Sequence, residues 1–142
     1  MNERELTAIF KKLLFQKCQE QKILAFYYKI PDTAGLGGLK PFDSFLLING
    51  KFLAIEFKVN DRKLEKHQEY YLNIIKSCGG ISLMINETNY KVLIDKIIKI
   101  AIITRNLSQQ VKEYIKDDKD GLLSKIIKQK GGEINGGQKS DA

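Results

Sequence analysis

Two acidic residues and a lysine stand on either side of a tight-turn signal in the middle of the chain. Asp43 comes before the dipeptide Asn49-Gly50, and Glu56 and Lys58 come after it. Asn-Gly between two apolar runs is typical of a two-residue β-hairpin, in which the residues that flank the turn pair with each other. Counting back from the turn places Asp43 opposite Glu56, and Lys58 shares the face of Glu56 because side chains alternate along a strand.

This arrangement predicts a metal site. Two carboxylates that oppose each other across a hairpin repel, and their apolar neighbours on both strands add a desolvation penalty. A divalent cation resolves the conflict, because Mg²⁺ binds a few carboxylate oxygens together with water and phosphate. We therefore predict Asp43 and Glu56 as ligands of Mg²⁺, for which Mn²⁺ would substitute. The competing interpretation, a solvated Glu56–Lys58 surface pair, does not explain the opposed carboxylates.

Phosphodiester hydrolysis is the chemistry that fits these groups. It needs a cation that activates water and positive charge beside the developing negative oxygens. Lys58 would either hold the attacking water or stabilise the transition state, and the sequence leaves both roles open.

The elements that must position these residues follow from hydrophobic periodicity and turn signals. Apolar residues at helical spacing predict an amphipathic first helix, and a second helix is expected over residues 64–77. Strands are expected over residues 23–30, 42–48, 51–59 and 81–85, and a short strand over 90–94 before a helix to residue 104. The resulting fold class is α/β, with a mixed central sheet flanked by helices and an αβββαβ core. We assign residues 1–104 to this core, 105–130 to a C-terminal helical extension and 131–142 to a disordered tail.

Asp43 followed after a hairpin by Glu56-Phe57-Lys58 resembles the active-site signature of the PD-(D/E)XK nuclease superfamily. Glu3-Arg4-Glu5-Leu6 is similar to a stretch of archaeal-type Holliday-junction resolvases. His67-Gln68 and Gly79-Gly80-Ile81 resemble segments of RecU-type resolvases and virus-type nuclease domains. The resemblance implies a restriction-endonuclease-like fold, a third metal ligand at Glu3, and a role for Gln68 in the active site.

Three residues have competing interpretations. Asp32 rivals Asp43, because Pro31-Asp32 matches the literal signature, but no strand pairing ties it to Glu56. Glu5 is the alternative to Glu3, although Glu3 lies nearer the apolar stripe of the first helix, and an acidic residue near a helix N-terminus is favoured by the dipole in any case. Gln68 is either a core residue satisfied by the backbone or a contact of the site.

Composition sets the class of partner. The formal charge of +7 and the isoelectric point near 9.3 favour a polyanion such as DNA. A hydrophobic fraction of 43% is too high for a disordered chain. Cys18 and Cys78 lack the spacing of a disulfide framework or a zinc site. The charged N-terminus and the interrupted apolar stretches predict a cytoplasmic protein without a membrane span.

We therefore expect a Mg²⁺-dependent endonuclease for branched DNA, with a Holliday-junction resolvase of DNA recombination and repair as the best single interpretation. A symmetric homodimer would make the paired nicks that such a junction requires. Two alternatives stay open: a restriction- or homing-type endonuclease of the same fold that acts on duplex DNA, and a DNA-binding module that has lost catalysis. Chelator-sensitive cleavage would separate the enzymes from the module.

Overall fold

The computed structural model describes residues 1–32 and 39–105 of the chain. Residues 33–38, most of the predicted C-terminal extension and the predicted tail lie outside the described residues.

The described residues form three helices and four strands in an α/β arrangement. In chain order they are α1 (Glu3–Glu20), β1 (Ala25–Lys29), β2 (Ser44–Ile48), β3 (Lys51–Phe57), α2 (Lys66–Ser77), β4 (Ile81–Ile85) and α3 (Tyr90–Ile103). The predicted order of helix, three strands, helix and strand is confirmed, and the predicted bounds of β4 match the structure. None of the described helices is long and apolar enough to cross a membrane.

The four strands form one mixed sheet in the order β1-β2-β3-β4. β1, β2 and β3 are antiparallel neighbours, whereas β4 runs parallel to β3 after the crossover through α2. The predicted hairpin is confirmed, because Ile48 pairs with Lys51 and the register continues to Ser44 opposite Ile55. Asn49 and Gly50 have φ angles of 46° and 78°, as a two-residue turn of the I′ type requires.

Helices cover both faces of the sheet, as the two apolar faces of the hairpin predict. On one face, α1 and α3 pack on a core that includes Leu46, Leu53 and Phe57. On the other face, Leu72 of α2 packs on Ala54 together with Phe42. The central strand β3 is therefore buried on both sides, which places Glu56 inside the protein.

The short strand predicted over residues 90–94 is wrong, because these residues form the beginning of α3. The turn before the helix is closed by Asn86, whose Oδ1 accepts the backbone N–H groups of Thr88 and Asn89 at 2.9 Å each. Four buried residues of α3 then recur at helical spacing: Ile94, Ile97, Ile98 and Ala101. Tyr90, Val92 and Ile94 favoured a strand locally, but the burial of the helical face against α1 decides for a helix.

Candidate active site

Asp43 lies immediately before β2, where the backbone hydrogen bonds have the pattern of a β-bulge. The backbone N–H of Asp43 donates to the carbonyl of Ile55 at 3.1 Å, although the register pairs Ile55 with Ser44. Two residues of one strand thus face one residue of the other. Phe42 packs against the α2 side of the sheet, whereas Asp43 borders a cleft beside α1. The strict alternation predicted from the hairpin therefore ends at Ser44, and Asp43 does not share the face of Glu56.

Reciprocal hydrogen bonds nevertheless hold the carboxylates of Asp43 and Glu56 together. Oδ2 of Asp43 accepts the backbone N–H of Phe57 at 2.8 Å, and Oε2 of Glu56 accepts the backbone N–H of Asp43 at 2.9 Å. Each carboxylate is fixed by a backbone donor on the opposite strand. The predicted meeting of Asp43 with Glu56 is present, through a bulge that the sequence did not predict.

Glu56 is the most deeply buried charged residue of the site, with 2% of its surface exposed. Its Oε1 accepts a hydrogen bond from Nε2 of Gln68 at 2.6 Å and lies 3.8 Å from Nζ of Lys58. Burial raises the pKa of Glu56 to about 8, and the charge of Asp43 and a side-chain hydrogen bond with Asp43 contribute to the increase, while Lys58 opposes it. Without a bound cation, Glu56 therefore holds a proton in the neutral range.

Gln68 links the start of α2 to this carboxylate. Its Oε1 accepts the backbone N–H of Glu65 at 2.9 Å, as one half of a capping box, while its Nε2 donates to Glu56. The cap determines the orientation of the amide, because only the nitrogen is left for Glu56. Both interpretations of Gln68 are therefore correct in part, because its side chain is hydrogen-bonded to the backbone and also contacts Glu56.

Lys58 lies beside Glu56 and is itself only 4% exposed. Its backbone N–H donates to the carbonyl of Ile85, the last residue of β4, at 2.9 Å, which continues the pairing of the two strands one residue past the end of β3. Its side chain borders a cleft of about 590 Å³ that Arg62 and Lys63 also line. The buried stem limits the positions that the ammonium group can take.

Lys40 joins the two rival aspartates. Its Nζ lies 2.9 Å from Oδ1 of Asp32 and 3.3 Å from Oδ1 of Asp43. The side chain of Asp32 is 78% exposed, whereas that of Asp43 is 20% exposed and contacts the Glu56 strand. The geometry favours Asp43 over Asp32. Sequence reasoning missed Lys40 as a partner of the site, although its position three residues before Asp43 was an available signal.

The N-terminal glutamates have different surroundings. Glu3 borders the same cleft as Asp43, a space of about 510 Å³ beside α1, and its Oε1 lies 3.4 Å from Nη1 of Arg62. Glu5 instead takes part in the cap of α1, where its backbone N–H donates to Asn2 at 2.8 Å and its Oε1 accepts from the Asn2 amide. Of the two, Glu3 lies nearer the site. The contact with Arg62 across the chain had no sequence signal.

The fit to a cation rests on two carboxylates. In residues 1–32 and 39–105, no group of three or more His, Cys, Asp and Glu side chains could hold a metal ion, so Glu3 does not complete a site with Asp43 and Glu56. The pair itself suits a hard divalent cation. Each carboxylate oxygen has two lone pairs, so it can bind a cation while it accepts a hydrogen bond. Two neighbouring buried carboxylates repel each other, and a cation between them would neutralise that charge.

Comparison with protein-family models, with curated proteins and with solved structures finds no match.

Proposed function

We propose that the protein is a Mg²⁺-dependent DNA endonuclease of the PD-(D/E)XK superfamily, with the restriction-endonuclease-like core that this superfamily shares. The observation that supports it is the meeting of Asp43 with the buried Glu56, while Nζ of Lys58 lies 3.8 Å from the Glu56 carboxylate. Two carboxylates and a lysine at the end of a hairpin are the groups that the signature requires. A purely structural role is disfavoured, because an apolar pair would cost less to bury.

In this proposal Asp43 and Glu56 hold the cation. A bound Mg²⁺ or Mn²⁺ supplies a Lewis acid for the phosphate and lowers the pKa of water. The chain contributes fixed positions: the Phe57 N–H orients Asp43, while the Asp43 N–H and Gln68 orient Glu56. Oriented ligands need little reorganisation during the reaction, which is the main source of electrostatic catalysis. Glu3 would have to break its ion pair with Arg62 to become a third ligand. Because that ion pair is exposed, breaking it costs roughly 1 kcal/mol or less.

Lys58 places a positive charge where the phosphate would be cleaved. Lys58 borders the cleft that Arg62 and Lys63 also line, and its side chain is 5% exposed. A substrate oxygen or a water in that cleft would therefore meet a lysine whose position is fixed by burial. The two roles assigned from sequence, water positioning and transition-state stabilisation, use the same position.

Charge supports DNA as the substrate. Basic residues border both clefts that flank the site: Arg4, Lys11, Lys29 and Lys40 beside Asp43, and Arg62 and Lys63 beside Lys58. Such residues contact phosphates without selecting a base sequence. The choice of branched DNA, with a Holliday-junction resolvase as the preferred activity, a homodimer and a role in recombination and repair, rests on the family resemblance of the N-terminal and α2 motifs.

The test is cleavage of labelled four-way junction, flap and duplex DNA with Mg²⁺, with Mn²⁺ and with EDTA. We expect junction cleavage that EDTA abolishes, that Asp43→Asn loses, and that Asp32→Asn retains. Asp32→Asn is a matched control, because it makes the same chemical change at the other partner of Lys40. Equal cleavage of junction and duplex would favour the restriction- or homing-type enzyme. Binding without any cleavage would favour the inactive module, and loss of activity in Asp32→Asn alone would move the site to Asp32.

A further inference from the structure

Each carboxylate of the site has one oxygen that accepts a backbone N–H group and one that faces a side chain. Oδ2 of Asp43 accepts the N–H of Phe57 at 2.8 Å, and Oε2 of Glu56 accepts the N–H of Asp43 at 2.9 Å. Oε1 of Glu56 accepts the amide of Gln68 at 2.6 Å, whereas Oδ1 of Asp43 lies 3.3 Å from Nζ of Lys40. A cation that binds Asp43 through the oxygen that the backbone does not hold therefore competes with Lys40.

Lys40 contacts a second carboxylate outside the site. Its Nζ lies 2.9 Å from Oδ1 of Asp32. The side chains of Lys40 and Asp43 are 22% and 20% exposed, whereas that of Asp32 is 78% exposed, so only the contact with Asp43 is shielded from solvent. An ammonium group has three donors, and the lysine stem is flexible. Lys40 can therefore give up Asp43 and keep Asp32.

A divalent cation and the ammonium group of Lys40 repel each other when both lie against Oδ1 of Asp43. At a separation of about 4 Å the repulsion of like charges is several times stronger near a protein surface than in bulk water. The cation carries twice the charge of the ammonium group and contacts Glu56 as well, so it has the advantage in this competition. The ammonium group must then move, and Asp32 is the acceptor that it already contacts.

We infer that Lys40 neutralises Asp43 in the metal-free protein and withdraws to Asp32 when a divalent cation binds. The inference rests on the proposed function, because it takes Asp43 as a ligand of the cation. It adds that Lys40 and Asp32 are positioning residues that set the affinity for the cation. After the withdrawal, Lys40 remains in the cleft that Arg4 and Lys29 also line, where a phosphate of the substrate would meet it.

The test measures Mn²⁺ binding to the full chain without DNA, by isothermal titration calorimetry. Lys40→Met keeps an apolar stem and removes the charge. Lys29→Met is the matched control, because it removes the same charge from the same cleft and leaves the contact of Lys40 with Asp43 in place. Asp43→Asn in each background identifies the binding that belongs to the site. Thermal unfolding of every variant is followed in EDTA and at saturating Mn²⁺.

We expect Lys40→Met to bind Mn²⁺ about fivefold more tightly than the wild type, which corresponds to the loss of one competing ion pair. Lys29→Met should change the affinity less than about twofold, because solvent and salt screen a charge without direct contact. In EDTA, Lys40→Met should unfold at a lower temperature than the wild type. At saturating Mn²⁺ this difference should become smaller, because the cation then neutralises Asp43 in both proteins.

The role of Asp32 is tested by a double-mutant cycle with Lys40. Asp32→Asn should weaken Mn²⁺ binding in the wild type, since the ammonium group loses the acceptor to which it withdraws. The same substitution should have a much smaller effect in the Lys40→Met background. The cycle separates this coupling from the loss of the Asp32 charge itself, which acts in both backgrounds. Additive effects would overturn the role of Asp32.

The outcomes separate this inference from the proposed function. Equal Mn²⁺ affinity of wild type and Lys40→Met, with binding that Asp43→Asn abolishes, would overturn the inference and leave the proposed function standing. Weaker binding by Lys40→Met, or equal tightening in Lys29→Met, would overturn it as well. Binding that Asp43→Asn leaves unchanged, or no binding by any variant, would contradict the proposed function and the inference with it. Lys40→Gln replaces Lys40→Met if the latter does not unfold cooperatively.

Discussion

Replacing Asp43 with Asn should change the pH dependence of stability in the metal-free protein. The Asn side chain keeps a carbonyl oxygen for the Phe57 N–H, which Oδ2 of Asp43 accepts at 2.8 Å. It removes the negative charge that helps to raise the pKa of Glu56. The substitution is therefore close to isosteric in packing. It also removes the negative charge beside Nζ of Lys40, 3.3 Å away, so the pH dependence of stability, and not its absolute value, reports the Glu56 proton.

The magnitude follows from the pKa of Glu56. Its ordinary value is 4.5, and burial, with Asp43 second, raises it to about 8. The folded state thus binds the proton more tightly than the unfolded state, so this stabilisation is complete below pH 4.5 and is lost as pH rises to about 8. At about 1.4 kcal/mol per pH unit, the loss is roughly 4 to 5 kcal/mol. Because burial is the largest cause, Asp43→Asn should recover less than half of it, about 1 to 2 kcal/mol at pH 8.

The assay is urea unfolding in EDTA, monitored by circular dichroism, between about pH 4.5 and pH 8.5. This pH range spans the ordinary and the raised pKa of Glu56. The control is Asp32→Asn, which changes an exposed aspartate that shares Lys40 and should leave the slope unchanged. Added Mg²⁺ should then stabilise the wild type by mass action and stabilise Asp43→Asn little. A wild-type stability that stays flat or rises over this pH range would refute the reasoning. Destabilisation of the variant by several kcal/mol at every pH would instead identify Asp43 as a structural partner of Lys40 and of the Phe57 N–H.

Three further predictions concern the partners of Glu56 and the substrate. Lys58→Met, which keeps the buried stem, should reduce cleavage about 100-fold or more while Mg²⁺-dependent stabilisation persists. Lys63→Met, which removes only a phosphate contact in the same cleft, should reduce cleavage far less. Near-normal turnover of Lys58→Met would remove that lysine from the site. Gln68→Glu keeps the acceptor for the cap of α2 but removes the donor to Glu56, so the variant should be folded in melting curves and should cleave DNA much more slowly. Glu65→Ala should lose about 1 kcal/mol of stability and keep its activity. Equal activity in the two variants would show that Gln68 acts only as a cap. Binding of junction DNA should weaken steeply as salt rises from about 50 to 200 mM, and an affinity that stays constant in a filter-binding titration would contradict phosphate contacts.

The parts of the fold that could be predicted from sequence are those fixed by local signals. Asn49-Gly50 determines the hairpin register because both residues tolerate a positive φ. The strand at residues 81–85 is bounded by Gly79 and Gly80 on one side and by the turn at Asn86 on the other. The start of α3 could not be predicted, since Tyr90, Val92 and Ile94 suit either element until the core selects the helical face.

The parts of the site that could not be predicted depend on contacts between distant residues. Glu3 and Arg62 meet across 59 positions of the chain, and no local pattern encodes that distance. Gln68 was expected on the buried side of α2, and its residue is 9% exposed. However, its bond to Glu56 depends on how the helix crosses from β3 to β4, which periodicity alone does not determine.

The bulge at Asp43 explains how two carboxylates coexist at this position. In a regular hairpin both side chains would lie under α2, where desolvation and mutual repulsion would oppose folding. The extra residue turns Asp43 towards the cleft beside α1, so that its side chain is 20% exposed while that of Glu56 is 2% exposed. One carboxylate then remains within reach of solvent and of Lys40, while the other is fixed by Gln68 and the backbone. A phosphate or cation that enters the cleft would meet the carboxylate of Asp43, while the backbone N–H of the same residue holds the buried carboxylate of Glu56.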